Sequence, residues 1–564
     1  MTYRVADALT DTLLHHGVDR VFSVPGESFL PVLDALLDRP QIDLVTCRHE
    51  GSAALAAVAD ARLTGRPGVL FVSRGPGMSN ASIGVHVAQQ DALPLVVFVG
   101  QVDRPNLGRG AFQEVDYARM FGGVAKWVGS LAHADHAGEV VARALALAQA
   151  GTPGPVLVVL PEDVLAEPCA TPARKLGAPA HAAPVAKELS EVAAFIAASQ
   201  RPVTVVGGEC RNTGFRDALL TFSEAWQMPV AVTNKNQDLF ANDHPHWLGH
   251  LGFFVSPSVA ALLQHADLVL AVGTRLGDVT SQGYTFPAQQ PTPQALIHVY
   301  PDANAIGRHF LTLQAVVSTG HAFLRAMNAL PRPPLPARSD WLAEVAQARE
   351  GAHGWDAART PEADVFGHVV QALSQHLAHD AIVALDAGNF STWVHRVLRF
   401  RRTQRLLSAA CGAMGMGVPA ALAASLRYPH RQVLAFCGDG GFLMTGNELA
   451  TAVGRQLPLK IVVANNGAYG TIRSYQERQF PHRVSGTALH NPDFAVLARA
   501  YGAGGFRIGS SSEACEEVAR FLAHPGPAVL DVACDIEQIM AATTLSALRP
   551  RTAAVHVEME PASA

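Results

Sequence analysis

The sequence predicts an α/β protein of three doubly wound parallel-sheet domains, and three observations carry that expectation. Short apolar runs recur at helix-length separations, the pattern of parallel strands buried on both faces. Two proline-rich stretches, from Glu167 to Ala186 and PRPPLPAR at 331–338, interrupt the alternation as linkers do. A chain of 564 residues also exceeds what one hydrophobic core organises. In order, the unit at 1–166 carries VFSV, DLVTC, GVLFV, LPLVVFVG and PGPVLVVLP, and the unit at 187–330 carries PVTVVGG, PVAVT, LVLAVG and ALIHVY. The third, at 358–546, carries AIVALD, VLAFCGDGG, LKIVVANN and PAVLDVAC. In such sheets ligands sit beyond the carboxyl ends of the strands, so functional residues are sought there.

Hydrophobic residues make up 49% of the chain and charged residues 16%, which suits an α/β enzyme with large subunit interfaces and excludes a fibrous or disordered chain. A net charge of -5 leaves no basic footprint for nucleic acid, and no uninterrupted apolar stretch reaches membrane-spanning length. The N-terminal MTYRVADALTDTLLHHGV reads as an amphipathic helix rather than an export signal. Seven cysteines without a CxxC pair indicate neither a disulfide framework nor a zinc knuckle, and a reducing cytoplasm is the expected compartment. The histidines of HPHWLGH at 244–250 lack a matching acid and read as a solvated loop.

FCGDGGFLM, residues 436–444, leaves an apolar run and places one carboxylate, Asp439, between Gly438 and Gly440-Gly441. Taken alone, this is equally a tight turn in which Asp caps the next helix. The following strand, LKIVVA, ends in Asn465-Asn466 after one helix and a turn, which brings a carboxamide to the same edge. Carboxylate and carboxamide oxygens are hard ligands suited to magnesium, which commonly bridges protein to phosphate. Gly440 and Gly441 let backbone N–H groups approach that phosphate at the helix start. Paired Asn residues also end strands without any ligand; the joint spacing is what points to a metal–phosphate site.

GDGGFLMTGNELATAVGRQLPLKIVVANN resembles, almost position by position, the GDG-to-NN signature of thiamine diphosphate enzymes, the acetolactate synthase group in particular. The resemblance covers most of the chain in the order pyrimidine-binding, central and diphosphate-binding domain. It implies that Asp439, Asn466 and the backbone carbonyl of Ala468 bind Mg2+, and that Gly440, Gly441, Tyr469 and Gly470 surround the diphosphate. CGAMGMGVPAAL matches the segment in which a bulky side chain, here Met414 beside Gly412, wedges under the cofactor; a lone Met would otherwise be core. Asp386-Ala387-Gly388-Asn389-Phe390 occupies the other diphosphate-side turn and offers Gly388 and Asn389 as contacts.

Glu50, in DLVTCRHEGSAALAAVA, ends a strand and begins a small-residue helix. A buried Glu without a basic partner retains a proton more readily and can share it with a ring nitrogen, although a helix-start Glu is also what the helix dipole favours. The resemblance implies that Glu50 shares its proton with the aminopyrimidine of thiamine diphosphate, the cofactor being the electron sink for loss of CO2 from a 2-oxo acid. It places Pro25 and Gly26, with Pro76 and Asn80 of the turn Gly75-Pro76-Gly77-Met78-Ser79-Asn80, on the pyrimidine side. It also makes Gln113 of GAFQEVD the active-site glutamine, with Lys126 following in AKW. In the family this half meets the C-terminal half of a second subunit, so a homodimer or homotetramer is expected.

The chain departs from the biosynthetic pattern in several places. A PGE turn puts Glu27 where a PGG turn is usual, either an added catalytic carboxylate, as in pyruvate decarboxylase-like relatives, or an exposed structural Glu. GTRLGDVTSQ keeps Arg275 and Asp278 but has Val279 for the arginine that clamps an acceptor carboxylate. LGHLGFFV and HVYPD place Phe254, Val255 and Tyr300 at flavin-contact positions, so little or no FAD is expected, and Gly207-Gly208 holds a nucleotide or nothing. YGTIRSYQ puts Thr471, Ile472 and Tyr475 where substrate-facing residues sit. The expected activity is thiamine diphosphate- and Mg2+-dependent decarboxylation of a 2-oxo acid with carboligation, acetolactate synthase-like. A 2-oxo-acid decarboxylase releasing aldehyde, favoured by Glu27 and Val279, is the alternative; a non-catalytic cofactor-binding scaffold is opposed by Glu50, Asp439 and Asn466.

Overall fold

Runs of Val, Leu and Ile too apolar to face water on either side become the interior strands of three parallel sheets. The computed structural model describes residues 3–550 apart from 178–179, 212–213, 254, 290–293, 353–354, 357 and 359. The first sheet holds β1 (Arg20–Ser23), β2 (Asp43–Thr46), β3 (Gly68–Val72), β4 (Leu95–Gln101), β5 (Trp127–Ser130) and β6 (Pro155–Pro161), ordered β2-β1-β3-β4-β6-β5. The second holds β7 (Pro202–Val206), β8 (Val230–Thr233), β9 (Trp247–Leu251), β10 (Leu268–Val272), β11 (Ala295–Tyr300) and β12 (Gln314–Val317), ordered β12-β11-β10-β7-β8-β9. The third holds β13 (Ile382–Leu385), β14 (Arg405–Leu407), β15 (Val433–Gly438), β16 (Lys460–Asn465), β17 (Gly504–Ile508) and β18 (Ala528–Ala533), ordered β14-β13-β15-β16-β18-β17. All pairings between these strands are parallel. Three doubly wound sheets are what the alternation predicts.

The sequence reading does not find β5, β9, β12, β14 and β17, and each of them is an edge strand. An edge strand lacks a neighbour on one side and is often wetted on one face, which interrupts the apolar run: β5 and β12 alternate between half-buried, buried and exposed positions. HPHWLGH is a correction of a different kind. Its second half is β9, with Trp247 and Leu248 fully buried. His250 is half-buried, and desolvation lowers its pKa to about 4. The second proline-rich stretch also ends inside the protein, where the buried Arg338 donates to the carbonyls of Trp226 at 2.6 Å and Ser199 at 2.9 Å. Among the described residues no helix is long and apolar enough to cross a membrane.

The first and third sheets are joined within one chain through helices made of small residues. The Glu50–Thr64 helix is buried from Gly51 to Arg62. It packs on the Gly75–Gln90 helix so closely that a Cβ on Gly84 would lie 2.3 Å from that of Ala54. Another face meets the Gly417–Arg427 helix, likewise buried over Gly417–Ser425. Ions seal the end of this contact: Arg427 binds Asp60 at 2.9 and 2.8 Å and Asp19 at 2.9 and 2.8 Å. Asp60 is 5% exposed, its other partner Arg20 lies farther off at 3.8 Å, and a buried carboxylate that loses its closer partner is costly. Arg427→Leu is therefore expected to lower stability by about 3–5 kcal/mol in urea unfolding. The double variant Asp60→Leu/Arg427→Leu should recover part of that loss, since both charges leave the interior together.

Candidate active site

β15 and β16 are neighbours and run in the same direction, so the turns that leave their carboxyl ends emerge side by side. Asp439 starts the helix after β15 and is 3% exposed. Its Oδ1 accepts from Gly440 N at 2.8 Å; its Oδ2 accepts from Gly467 N and from Asn491 Nδ2, each at 2.8 Å. Burial raises the pKa of this carboxyl, while these N–H donors act against the rise. Asn466 follows β16, its Oδ1 accepting from Ala468 N at 3.1 Å, and the Ala468 carbonyl takes no hydrogen bond among the described residues. A Cβ on Gly470 would approach Asn466 Nδ2 to 2.9 Å, and one on Gly440 would lie 2.6 Å from the Tyr469 ring. These glycines make room for neighbouring side chains as well as leaving backbone N–H groups open.

Beyond β13, Asp386 is fully buried and its carboxyl is pushed up by burial. It accepts from Ala387 N at 2.7 Å and from Gly415 N at 2.8 Å. Gly441 faces it, since a Cβ there would lie 2.8 Å from Asp386 Oδ2. The turn carrying Met414 is thus pinned at Gly415 by Asp386. At its other end Ala410 N and Cys411 N donate to Asp91 of the N-terminal domain at 2.8 and 3.1 Å. Gly412 and Gly415 at its bends have φ of +80° and +84°, conformations that side chains rarely adopt. Asn389, beside Gly388, receives a hydrogen bond from Thr471 Oγ1 on its Oδ1 at 3.0 Å. Its Nδ2 is buried without an acceptor.

The second cluster gathers at the carboxyl edge of the first sheet. Glu50 is the first residue of its helix, and the His49 ring caps that helix by accepting from Gly51 N at 3.0 Å. Read from sequence as buried, Glu50 is half-buried in the single chain. Its Oε2 accepts from Asn80 Nδ2 at 2.9 Å, and a Cβ on Gly77 would lie 3.4 Å from Oε1. The carbonyl of Gln113, whose φ is +63°, accepts from Gly75 N at 3.2 Å and so sits at the start of the helix bearing Pro76 and Asn80. Pro25 and Gly26 follow β1, and Gly26 packs against Ser73 where a Cβ would meet another at 2.6 Å. Glu27 is 60% exposed and lies 3.5 Å from Arg74. Lys126 is not part of this group: its ammonium donates to the carbonyls of Ala150 and Thr152.

Among the described residues no hydrogen bond or ion pair links the Glu50 cluster directly to the Asp439 cluster of the same chain. The link is indirect. Glu448, fully buried, accepts from Arg48 N at 2.8 Å and His49 N at 3.2 Å, so the third domain holds the turn that leads into Glu50. Glu448, Asp91 and Asn491 are the residues that sequence reasoning misses. The only local cue is that Glu448 lies in the NELATA continuation of the signature.

In the central domain the strand order reverses between β7 and β10, where a nucleotide would be sought. There Gly207 and Gly273 serve close packing, since a Cβ on Gly207 would lie 2.1 Å from the Gly273 carbonyl. Glu209 turns into the crevice, accepts from the Tyr300 hydroxyl at 2.8 Å and lies 3.6 Å from Arg275. Burial pushes its pKa up to about 7. Phe254 lies outside the described residues.

The donor set at Asp439 consists of one carboxylate, one amide oxygen and one free carbonyl, all hard oxygens, and it fits Mg2+. The unpartnered buried Asn389 Nδ2 across the turn is a donor of the kind a phosphate oxygen uses. Comparison with known proteins bears on the same regions. Residues 3–120, 189–327 and 386–532 match the N-terminal TPP binding, central and C-terminal TPP binding domains of thiamine pyrophosphate enzymes. The chain is 33% identical over 548 residues to an acetolactate synthase large subunit of Parasynechococcus marenigrum, covering 93% of this chain and 87% of that protein. It is 33% identical over 538 residues to the acetolactate synthase isozyme 2 large subunit of Escherichia coli, covering 94% and 95%. With the mitochondrial acetolactate synthase catalytic subunit of Saccharomyces cerevisiae it shares 30% over 548 residues, covering 93% and 80%. The chain therefore belongs to the thiamine pyrophosphate enzyme family, as a protein similar to acetolactate synthase large subunits.

Proposed function

We propose that the protein decarboxylates a 2-oxo acid with thiamine diphosphate and Mg2+ and ligates the remaining acyl unit to an acceptor, as its acetolactate synthase relatives are named for doing. The observation that supports this reading is the pair of strand-edge clusters, a Glu50 carboxyl fixed by Asn80 and a hard-oxygen set at Asp439, Asn466 and Ala468. Residues 1–166, 187–330 and 358–546 are then the pyrimidine-binding, central and diphosphate-binding units. When bound, the cofactor supplies an electron sink for loss of CO2. Asp439, Asn466 and the Ala468 carbonyl would hold the metal; Gly388, Asn389, Gly440, Gly441, Tyr469 and Gly470 would surround the diphosphate. Asn80 occupies one oxygen of Glu50 and leaves the other to share a proton with a ring nitrogen. Pro25, Gly26 and Pro76 would bound the ring, Gln113 would contact substrate, and Met414 beside Gly412 would support the cofactor.

The reading also needs a second copy. Glu50 is only half-buried, and Leu443, Met444, Ile472 and Tyr475 beside the Asp439 turn are 48%, 47%, 53% and 43% exposed, an apolar surface suited to a partner subunit in a homodimer or homotetramer. The seven scattered cysteines lack the spacing of a disulfide framework, which favours a reducing, cytoplasmic setting. Exposure of Glu27 beside the cofactor turn, together with Val279, favours a second reading in which aldehyde is released without ligation. Incubation of the purified holoprotein with 2-oxo acids and aldehydes, with product analysis, separates the two. Hydroxyketone or hydroxyacid ligation products are expected, aldehyde alone would establish the second reading, and no CO2 from any 2-oxo acid would remove both.

We also propose that the central crevice carries little or no FAD, because the buried Glu209 and its Tyr300 partner stand at the strand switch point where dinucleotide phosphates need donors. The purified protein is expected to show no flavin absorbance after gel filtration, and stoichiometric flavin would overturn this.

A further inference from the structure

The acid at the metal turn is oriented by a residue distant in sequence and outside the signature. Asn491 Nδ2 lies 2.8 Å from Asp439 Oδ2 and 2.9 Å from Asn465 Oδ1. Asn465 Nδ2 donates in turn to Asp531 Oδ1 at 3.0 Å, which sets the amide directions along the whole row: with acceptors on both sides, Asn491 must present its NH2 group. The segment carrying Asn491 is strapped to the loop that carries the other expected ligands. Ala468 and Ala488 form an antiparallel bridge, Tyr469 N donates to Thr487 O at 2.9 Å, and Leu489 N donates to Gly467 O at 2.7 Å.

The consequence lies in the two oxygens of Asp439. An ionised carboxylate oxygen has about two acceptor positions. Among the described residues Oδ2 has both taken, by Asn491 and Gly467, whereas Oδ1 accepts one hydrogen bond, from Gly440 N. Resting on the reading that Asp439 binds Mg2+, we propose that Asn491 is a positioning residue that pins Oδ2 and so turns the free lone pair of Oδ1 to the ion. The Thr487–Asn491 strap then sets the loop bearing Asn466 and Ala468. An amide suits this position, because Lys would bring a competing cation and Asp a second repelling carboxylate.

The test is Mn2+ titration followed by electron paramagnetic resonance, with thiamine diphosphate present, on the wild-type protein, Asn491→Ala and the near-isosteric Asn491→Leu. Loss of the donor is expected to raise the Mn2+ dissociation constant by roughly 10- to 100-fold, as removal of outer-shell partners does. Saturating Mg2+ should restore kcat, so the defect appears in the metal concentration required; a residue that only braces the fold would lower the unfolding temperature without moving this constant. Should the alanine variant fail to fold, the leucine variant carries the measurement. Wild-type affinity in the folded variant overturns the proposal. Failure of the wild-type protein to bind Mn2+ with thiamine diphosphate overturns the metal assignment beneath it, and the proposal with it.

Discussion

A backbone N–H at the end of a strand, turned from its sheet and shut off from water, needs an acceptor, and around this site the acceptor is repeatedly a buried carboxylate. Asp439 takes Gly440 N and Gly467 N, Asp386 takes Ala387 N and Gly415 N, and Glu448 takes Arg48 N and His49 N. None of these acids forms an ion pair among those of the described residues, and burial raises the pKa of each. An ionised carboxylate in such a place is tolerable because charge-assisted hydrogen bonds replace its water. A divalent cation at Asp439 would offset the remaining cost, so the feature that orders the turns also makes one of them attractive to a metal.

This arrangement ties distant parts of the chain together. Glu448 carries the influence of the third domain to the turn before Glu50, and Asp91 carries that of the first domain to the turn before Met414. The small-residue helices make both reaches short, because Ala and Gly at the contact let backbones approach closely. Each chain therefore holds the Glu50 and Asp439 clusters through contacts between its first and third domains. Among the described residues no hydrogen bond or ion pair joins the two clusters directly, and Glu50 is half-buried.

The architecture was legible in sequence where burial is complete. Interior strands such as Gly68–Val72 and Leu268–Val272 are buried along their whole length and appear as unbroken apolar runs. Edge strands carry mixed environments, and in β9 a glycine and a half-buried histidine break the run. The pairing of the Asp439 and Asn466 turns was legible because both belong to one strand–helix–strand unit with short spacing. Asn491, Asp91 and Glu448 were not, because their hydrogen bonds span 52, 319 and 400 residues, and no local pattern encodes an acceptor that only the folded chain delivers. The Gly440 and Gly441 positions were read as openings toward phosphate; the side chains of Tyr469 and Asp386 that also require them lie elsewhere in the sequence.

We propose that one active site is made from the Glu50 cluster of one copy and the Asp439 cluster of another. Mixing two separately inactive variants, Glu50→Gln and Asp439→Ala, under conditions that allow subunits to exchange tests it most directly. A mixed dimer then holds one site with both residues intact and one with neither. Recovery of 2-oxo-acid decarboxylation in the mixture, absent from either variant alone, is the predicted result. If subunit exchange is verified and the mixture stays as inactive as its components, the two clusters do not complement across copies and no site is shared between subunits.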